Sequence, residues 1–129
     1  MRETSTDAAL VSSIAHGRET VVWAVGTGTF PELAPGVSLP LDDTICRRLL
    51  EGAFDGAAPD VAGEPALRDV PLVREGRIGA YLGVPLRTSD ARLYVLCCLA
   101  RERRPGLGAG DLRFLAGMAE TVRAVLEPA

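Results

Sequence analysis

Two adjacent cysteines, Cys97 and Cys98, lie inside the apolar run LYVLCCLA at residues 93–100. A thiolate can attack a substrate or bind a soft metal ion, so this pair is the first candidate for chemistry. Successive side chains of a strand point to opposite faces, and the two sulfurs therefore cannot hold one metal ion together. A disulfide between neighbours in a strand would be badly strained. We predict two buried core residues, and Cys97 is the candidate for lining an internal pocket.

The third cysteine, Cys46, belongs to the stretch LDDTICRRLLEG at residues 41–52. Apolar residues recur there at spacings of three and four, which predicts a helix with one apolar face: Ile45, Cys46, Leu49 and Leu50. Packing in the core is the simplest role for Cys46. The alternative is an activated thiol, because a helix start and nearby arginines lower a thiol pKa. In both cases Cys46 is a candidate pocket residue.

Four polar residues near strand ends are candidate ligand contacts. Asp60 ends a short predicted strand and Tyr81 starts a later one, and strand ends beside mobile segments are favoured places for binding groups. Arg74 and Arg77 lie nearby in the sequence and can meet a carboxylate or phosphate with paired hydrogen bonds. The alternatives are structural: Asp60 caps a turn, Tyr81 belongs to the core or its rim, and the arginines are solvated.

Three further features resemble functional motifs without meeting their requirements. PGLGAGD at residues 105–111 leads into a helix like a phosphate-binding loop, but it lacks a lysine and places Asp111 where the phosphate would sit. The single histidine, His16, falls in a predicted hairpin turn, and no cysteine pair has zinc spacing, so no metal is expected. ARERRP at residues 100–105 is predicted to be a solvated loop.

The composition bounds the class of protein. A chain of 129 residues with 47% apolar and 24% charged residues fits a single globular domain over residues 1–129. The net charge of −3 argues against a surface that binds nucleic acid or a membrane. No apolar run reaches the roughly 20 residues that span a bilayer, and the first residues lack a signal-peptide core. Three cysteines form no disulfide framework, so we expect a reduced, cytoplasmic protein.

The predicted elements follow the order β-β-α-β-(α)-β-β-α. The first two strands meet at a turn around His16, the segment 27–40 is predicted to be a loop, and Asp42 or Asp43 is predicted to cap the first helix. The later elements are a short strand in 57–62, short helical turns in 64–76, and strands in 78–88 and 91–101. Strands joined by turns predict an antiparallel sheet, and the doubly apolar run at 93–100 predicts helices on both faces.

The longest predicted helix runs from Asp111 to Leu126. Its apolar positions follow 3,4,3,4 spacing: Leu112, Leu115, Ala119, Val122 and Leu126. Phe114, Met118 and Val125 widen this face. Two interpretations stay open, namely that the helix docks on its own sheet or that residues 111–126 meet a second copy in a homodimer. Gly117 at mid-helix fits the close approach of another backbone, because glycine there costs about 1 kcal/mol relative to alanine.

Four segments in this order resemble the GAF domain family in its bacterial signalling form: LPLDDTICRRLLEG, PDV followed by IGAYLGVPL, LYVLCCL, and DLRFLAGMAETVRAVLE. The resemblance covers about residues 7–127, and similar domains are often joined to enzymes that make or break cyclic di-GMP, such as phosphodiesterases. It implies an α+β fold with a five- or six-stranded antiparallel sheet and helices on both faces. It also implies a pocket between the sheet and the middle helices, which in the family takes cyclic nucleotides, bilins, haem or other small molecules.

Two departures from the family pattern stand out. About seven residues precede the first strand, so the helix with which such domains usually begin is expected to be absent or cut away. The last hairpin reads SDARLYVLC, without the glycines of the family pattern and one residue shorter. Family ligand contacts in that hairpin therefore cannot be carried over to this chain.

Three functional hypotheses follow. The first is a regulatory or sensory domain that binds a small molecule, for instance a cyclic nucleotide or another metabolite, and acts through dimerisation or an effector protein in trans. The second is a small enzyme on the same fold, with Cys46 or Asp60 acting on a substrate, although no nucleophile is paired with a base. The third is a dimerisation module with a collapsed, empty pocket.

Overall fold

The structure, a computed structural model, describes residues 6–26 and 28–128. In these ranges six strands form one antiparallel sheet in the order β3-β2-β1-β6-β5-β4. The strands are β1 Ala8–Ala15, β2 Arg18–Val25, β3 Ser38–Pro40, β4 Ala57–Ala58, β5 Ala80–Arg87 and β6 Leu93–Ala100. The α-helices are α1 Ile45–Leu50, α2 Pro71–Arg74 and α3 Ala109–Leu126. The predicted α+β architecture with an antiparallel sheet is confirmed.

Strand β6 lies at the centre of the sheet and is buried on both sides. Cys97 and Cys98 are 2% and 0% exposed, and they belong to two different apolar clusters on opposite faces. On the first face, which we call the cavity face, Cys97 packs beneath α1, α2 and the loops around them. On the second, the α3 face, Cys98 shares a cluster with Leu115 and Ala119 of α3. The prediction of a strand covered on both faces is confirmed.

The first hairpin turns where the sequence predicts. His16 and Gly17 both have positive φ, 54° and 73°, and they join β1 directly to β2. The pairing of these strands contains a bulge between Val11 and Ser12. A bulge adds one residue to the partner strand and shifts the side chains beyond it. As a result, Val21 is buried on the cavity face while Trp23 turns its side chain to the α3 side, opposite Val11.

Helix α1 begins at a different cap from the one predicted. Thr44, not Asp42 or Asp43, occupies the N-cap, and its Oγ1 accepts a hydrogen bond from Arg47 N at 3.2 Å. The two aspartates instead lie in a 3₁₀ turn at Leu41–Asp43. Asp42, Asp43 and Thr44 are consecutive and all three residue types are common N-caps, so residue type alone does not predict which of them caps the helix. Gly52 follows the helix with a φ of 75°, as expected for a helix end.

Helix α3 lies across the α3 face and extends one half-turn further than predicted, from Ala109 to Leu126. Asp111 Oδ2 accepts a hydrogen bond from Gly108 N at 3.0 Å, so the carboxylate caps its own helix. The seam predicted from the 3,4,3,4 spacing packs on the chain's own sheet, with Leu115 and Ala119 fully buried. The widening residues Phe114, Met118 and Val125 stay exposed.

Two predictions concern the beginning of the chain and the loop 27–40. The absence of a helix before β1 concerns chiefly residues 1–5, which lie outside the described residues. The loop prediction is wrong at its end, where β3 pairs with β2 through Arg18, Glu19 and Thr20. Three residues of edge strand rich in serine and proline carry too little alternation to be recognised in the sequence.

Candidate functional site

A small cavity lies on the cavity face between the sheet and its covering segments. Its floor includes Leu10 of β1 and Cys97 of β6, and its walls come from α1 and from the segment 60–78, which we call the cover segment. The cavity volume is about 40 Å³, whereas a single buried water needs at least ~10–15 Å³. The cavity therefore has room for only a few small atoms unless the cover segment moves.

A buried polar cluster of Glu19, Cys46 and Tyr81 lines this cavity. Cys46 Sγ donates to Glu19 Oε2 at 3.3 Å and lies 3.2 Å from Tyr81 Oη. In the second contact either group can donate, because a thiol and a phenol each carry one proton and can also accept. Thus a chain of hydrogen bonds runs from Tyr81 on β5 through α1 to β2 and joins three elements of the fold.

The cluster holds its thiol and its phenol in their neutral forms. Hydrogen bonding with the Cys97 thiol, burial and the charge of Glu19 raise the pKa of Cys46 well above its ordinary value, against a smaller opposite effect of Tyr81. Burial, together with the two nearby thiols, also raises the pKa of Tyr81 well above its ordinary value. The activated thiol considered from the sequence requires a lowered pKa, so this geometry does not favour nucleophilic chemistry at Cys46.

Arg47, the residue after Cys46, is engaged away from the thiol. It forms ion pairs with Asp42 at 3.3 Å and with Glu51 at 3.1 Å on the outer side of α1. The half-buried arginine and the buried thiol point to different sides of the helix. Sequence adjacency alone therefore overstated the influence of this charge on Cys46.

Glu19 is the residue of the site that the sequence analysis missed. Its side chain is 7% exposed, and its Oε1 has no hydrogen-bond partner. Buried acids are rare unless paired, which is why a glutamate beside a hairpin turn is assigned to the surface by default. The available signal was strand alternation, because Glu19 and Val21 are two residues apart and so share the buried face of β2.

The structure places the six predicted site residues in two groups. Cys46, Tyr81 and Cys97 come together around the cavity. The other three lie outside it. Asp60 is exposed at the start of a 3₁₀ turn, Arg74 donates to Asp69 O at 3.2 Å, and Arg77 pairs with Glu32. Ligand binding by any of the six stays a prediction.

Arg77, which lies in the cover segment, belongs to an ion-pair cluster with Glu32 and Arg101. Its Nη2 lies 2.6 Å from Glu32 Oε2, and Arg101 Nη1 lies 3.2 Å from the same oxygen. Partial burial alone would raise the pKa of Glu32, but a backbone hydrogen bond and the two arginines outweigh burial and lower it. Arg101 also lies over the Phe30 ring at 4.3 Å. The prediction of a solvated loop at residues 100–105 is therefore wrong at Arg101, which ties that loop to residues 29–32.

The cavity opens outward through a wider mouth. A second depression of about 160 Å³ shares Leu33, Leu39, Asp43 and Leu72 with the cavity and adds Glu32, Pro40 and Pro71. Its walls come from three separate segments: the 3₁₀ turn at Pro31–Leu33, the end of β3 with the turn that follows it, and α2. Movement of α2 would therefore widen both spaces together.

The dimensions of the cavity limit what the described residues can hold. Ligand pockets for drug-sized molecules measure about 300–1,000 Å³, so a bilin or haem does not fit the cavity in this form. His16 lies in an exposed turn and offers no axial ligand to the cavity. Within residues 6–26 and 28–128, no group of three or more His, Cys, Asp or Glu side chains is placed to hold a metal ion. In the same ranges, no helix is long and apolar enough to cross a membrane.

Comparisons with known proteins identify the fold. No family model matches the sequence, and no curated protein matches it significantly. Solved structures do match. A red/green cyanobacteriochrome in its red-light-absorbing state aligns over 98% of this chain and 85% of its own, with a TM-score of 0.71 and 15% identity. The GAF domain of an Acinetobacter phosphoenolpyruvate-protein phosphotransferase aligns over 96% of this chain and 73% of its own, with a TM-score of 0.69 and 17% identity.

A third match is the GAF-B domain of DevS from Mycobacterium smegmatis. It aligns over 94% of this chain and 80% of its own, with a TM-score of 0.65 and 20% identity. The expected link to cyclic di-GMP enzymes stays a prediction. At these identities the matches establish architecture, and the agreement extends over nearly the whole described chain. The chain has the fold of a GAF domain.

Proposed function

We propose that this chain is a sensory regulatory domain that binds a small molecule in the cavity and passes the signal on through α3. The observation that carries the proposal is the polar cluster of Glu19, Cys46 and Tyr81, buried at the wall of a cavity beneath a cover of short segments. A buried polar atom without a hydrogen-bond partner costs stability, so its presence in a folded protein calls for a functional explanation. Ligand binding is the purpose that matches the fold of the solved sensor domains.

The cover segment is suited to open and close over the ligand. It consists of two short helical turns and loops, and it contributes Val70, Leu72 and Ile78 to the cavity wall. The internal backbone hydrogen bonds of this segment close single turns, so it can move without breaking strand pairing or a long helix. A ligand that displaces the cover segment and reorders it around itself would select one conformation. The size of that shift is limited by the ligand's difference in affinity for the two states.

Strand β6 provides a short route from the cavity to α3. Cys97 lines the cavity, while the next residue, Cys98, packs in the cluster that contains Leu115 of α3. A shift of β6 by roughly a few tenths of an ångström on the cavity face therefore also displaces Cys98 against α3, because close-packed interiors transmit strain.

The proposed output surface is a homodimer contact on one flank of α3. Phe114, Met118, Thr121 and Val125 follow 4,3,4 spacing along this flank, and the three apolar ones remain 37–80% exposed. Such spacing is the seam pattern of paired helices. Trp23 of the neighbouring β2 is 50% exposed beside it and extends the apolar surface onto the sheet. The seam proposed for a second copy is therefore rotated from the Leu112–Leu126 row considered from the sequence.

A matched pair of cysteine variants tests the cavity as the ligand site. Cys97→Met adds volume toward the cavity, and Cys98→Met adds the same volume on the fully packed α3 face. Overpacking a filled core costs about 1–3 kcal/mol, so Cys98→Met is expected to destabilise the protein more than Cys97→Met. Chemical denaturation of the two variants measures this difference.

The same variants decide the function in a thermal-shift screen of cyclic nucleotides and common metabolites. A compound that raises the melting temperature of the unmodified protein should lose this effect in Cys97→Met and keep it in Cys98→Met. Compounds that stabilise both variants equally would place binding elsewhere. A screen in which no compound stabilises the unmodified protein would favour a pure dimerisation module.

A further inference from the structure

We infer that the cavity takes a small organic cation of the alkylammonium type, whose N–H groups donate to Glu19. The inference rests on the proposed function and names the class of ligand for the same site. Four observations carry it: an unpaired acceptor, the charges that line the site, the position of the nearby arginines, and the apolar remainder of the wall.

The unpaired acceptor is Glu19 Oε1. The residue is more than nine-tenths buried and lines the cavity, and Oε2 already accepts a hydrogen bond from the Cys46 thiol. Oε1 has no partner. A buried carboxylate oxygen without a donor is costly, and a positively charged donor satisfies it best, because charge-assisted hydrogen bonds are about twice as strong as neutral ones.

The charges that line the site have one sign. Among the described residues, the cavity is lined by the carboxylates of Glu19 and Asp43 and by no lysine, arginine or histidine. The mouth adds Glu32, whose charge is already paired with arginines, and again no basic side chain. Carboxylates at the entrance and at the inner wall attract a cation along the whole path.

Ligands that carry phosphate are disfavoured by the same arrangement. A phosphate needs Arg, Lys or a set of free backbone amides, and Arg74 and Arg77 stand outside the cavity with their own partners. An anion placed beside Glu19 would face an uncompensated negative charge at low dielectric. The cyclic nucleotides named from the family resemblance are therefore the poorer match to the residues of this site.

The rest of the wall sets the shape of the ligand. Leu10, Ile45, Val70 and Leu99 are among its apolar members, and the enclosed volume of about 40 Å³ widens only at the mouth. A short hydrocarbon chain in this channel would replace water at the apolar walls. The ammonium group would lie innermost, within reach of Glu19.

Three probes of nearly equal size test the inference: n-butylammonium chloride, n-butanol and sodium butyrate at constant ionic strength. Binding to the ¹⁵N-labelled protein is followed by NMR shifts of residues around the cavity. We expect n-butylammonium to bind most tightly. Glu19→Gln should weaken its binding about tenfold or more and weaken n-butanol binding much less, because the substitution keeps the shape and only the ammonium ion loses an opposite charge.

Glu120→Gln is the matched control, because it makes the same change on α3, on the opposite side of the sheet, and should leave binding unchanged. Asp43→Asn, at the exposed mouth, provides a variant that does not disturb the core, and it should weaken n-butylammonium binding roughly threefold.

Two results would overturn the inference. The first is that n-butanol or butyrate binds in the cavity as tightly as n-butylammonium. This result would contradict a preference for cations and leave the proposed function intact. The second is a lack of cavity shifts with n-butylammonium. In that case the metabolite screen with the cysteine variants decides the proposed function separately.

Discussion

Replacing Gly83 by alanine is expected to lower the free energy of unfolding by about 2–3 kcal/mol, because overpacking a filled core costs this much. Gly83 and Tyr81 lie two residues apart on β5 and share its cavity face. A Cβ atom at Gly83 would stand 2.6 Å from both Cε1 and Cζ of the Tyr81 ring, which is far inside contact distance. The ring is 1% exposed and cannot yield without leaving its place.

The consequence for the site follows from the position of the ring. If Tyr81 moves, its hydroxyl leaves Cys46, and the contact of its ring with Phe54, at 5.8 Å between centroids, changes as well. Ligand binding should therefore weaken together with stability. Chemical denaturation gives the first quantity, and titration with any compound found in the screen gives the second.

Gly110→Ala is the matched control for this substitution. The added methyl there meets only Arg113 Nη2 at 3.8 Å, and alanine favours a helix, so stability should stay the same or rise by up to about 1 kcal/mol. The double variant Gly83→Ala, Tyr81→Leu should lose less unfolding free energy than the sum of the losses in the two single variants. The shorter leucine side chain makes room for the added methyl group. Strict additivity, or a neutral Gly83→Ala, would show that the ring does not fill the space above Gly83.

Replacing Val125 by aspartate is expected to convert the proposed homodimer into a monomer and to weaken its self-association about 100-fold or more, because a charge buried without a partner costs several kcal/mol. Val125 is 80% exposed in the single chain, so the substitution should leave the stability of the monomer nearly unchanged. Sedimentation equilibrium over a range of protein concentrations measures the association constant.

Ala116→Asp is the control on the same helix. Ala116 is exposed and lies nine positions before Val125, which places the two on opposite flanks of α3. It should leave the mass of the particle unchanged. The proposed homodimer contact on this flank of α3 would be contradicted if the unmodified protein were monomeric, or if both variants lost association equally.

The features of the fold that depend on local pattern were predictable from the sequence. The unbroken apolar run of β6 required cover on both faces, and Cys97 and Cys98 lie on opposite faces as strand alternation demands. The hairpin at His16 and the end of α1 at Gly52 followed from residues that accept positive φ.

What could not be predicted depends on residues far apart in the chain. Arg101 was assigned to solvent because its partner Glu32 is 69 residues away, and nothing local indicates the pair. Glu19 was overlooked because its burial depends on Cys46 and on the cover segment, both distant in sequence. Similarly, the apolar surface of α3 was visible, but only the packing shows that its Leu115 side meets the sheet while Phe114 stays outside.

The most direct test of the account is the rate at which a small methanethiosulfonate labels each cysteine of the native protein, resolved by mass spectrometry. The central claim is that β6 is covered on both sides, with Cys97 buried at the floor of a narrow cavity and Cys98 buried beneath α3. It predicts that Cys97 and Cys98 react about a thousandfold more slowly than in the unfolded chain, because labelling requires an opening that costs several kcal/mol. Labelling of both residues at the rate of the unfolded chain would contradict the layered fold and the cavity that depends on it.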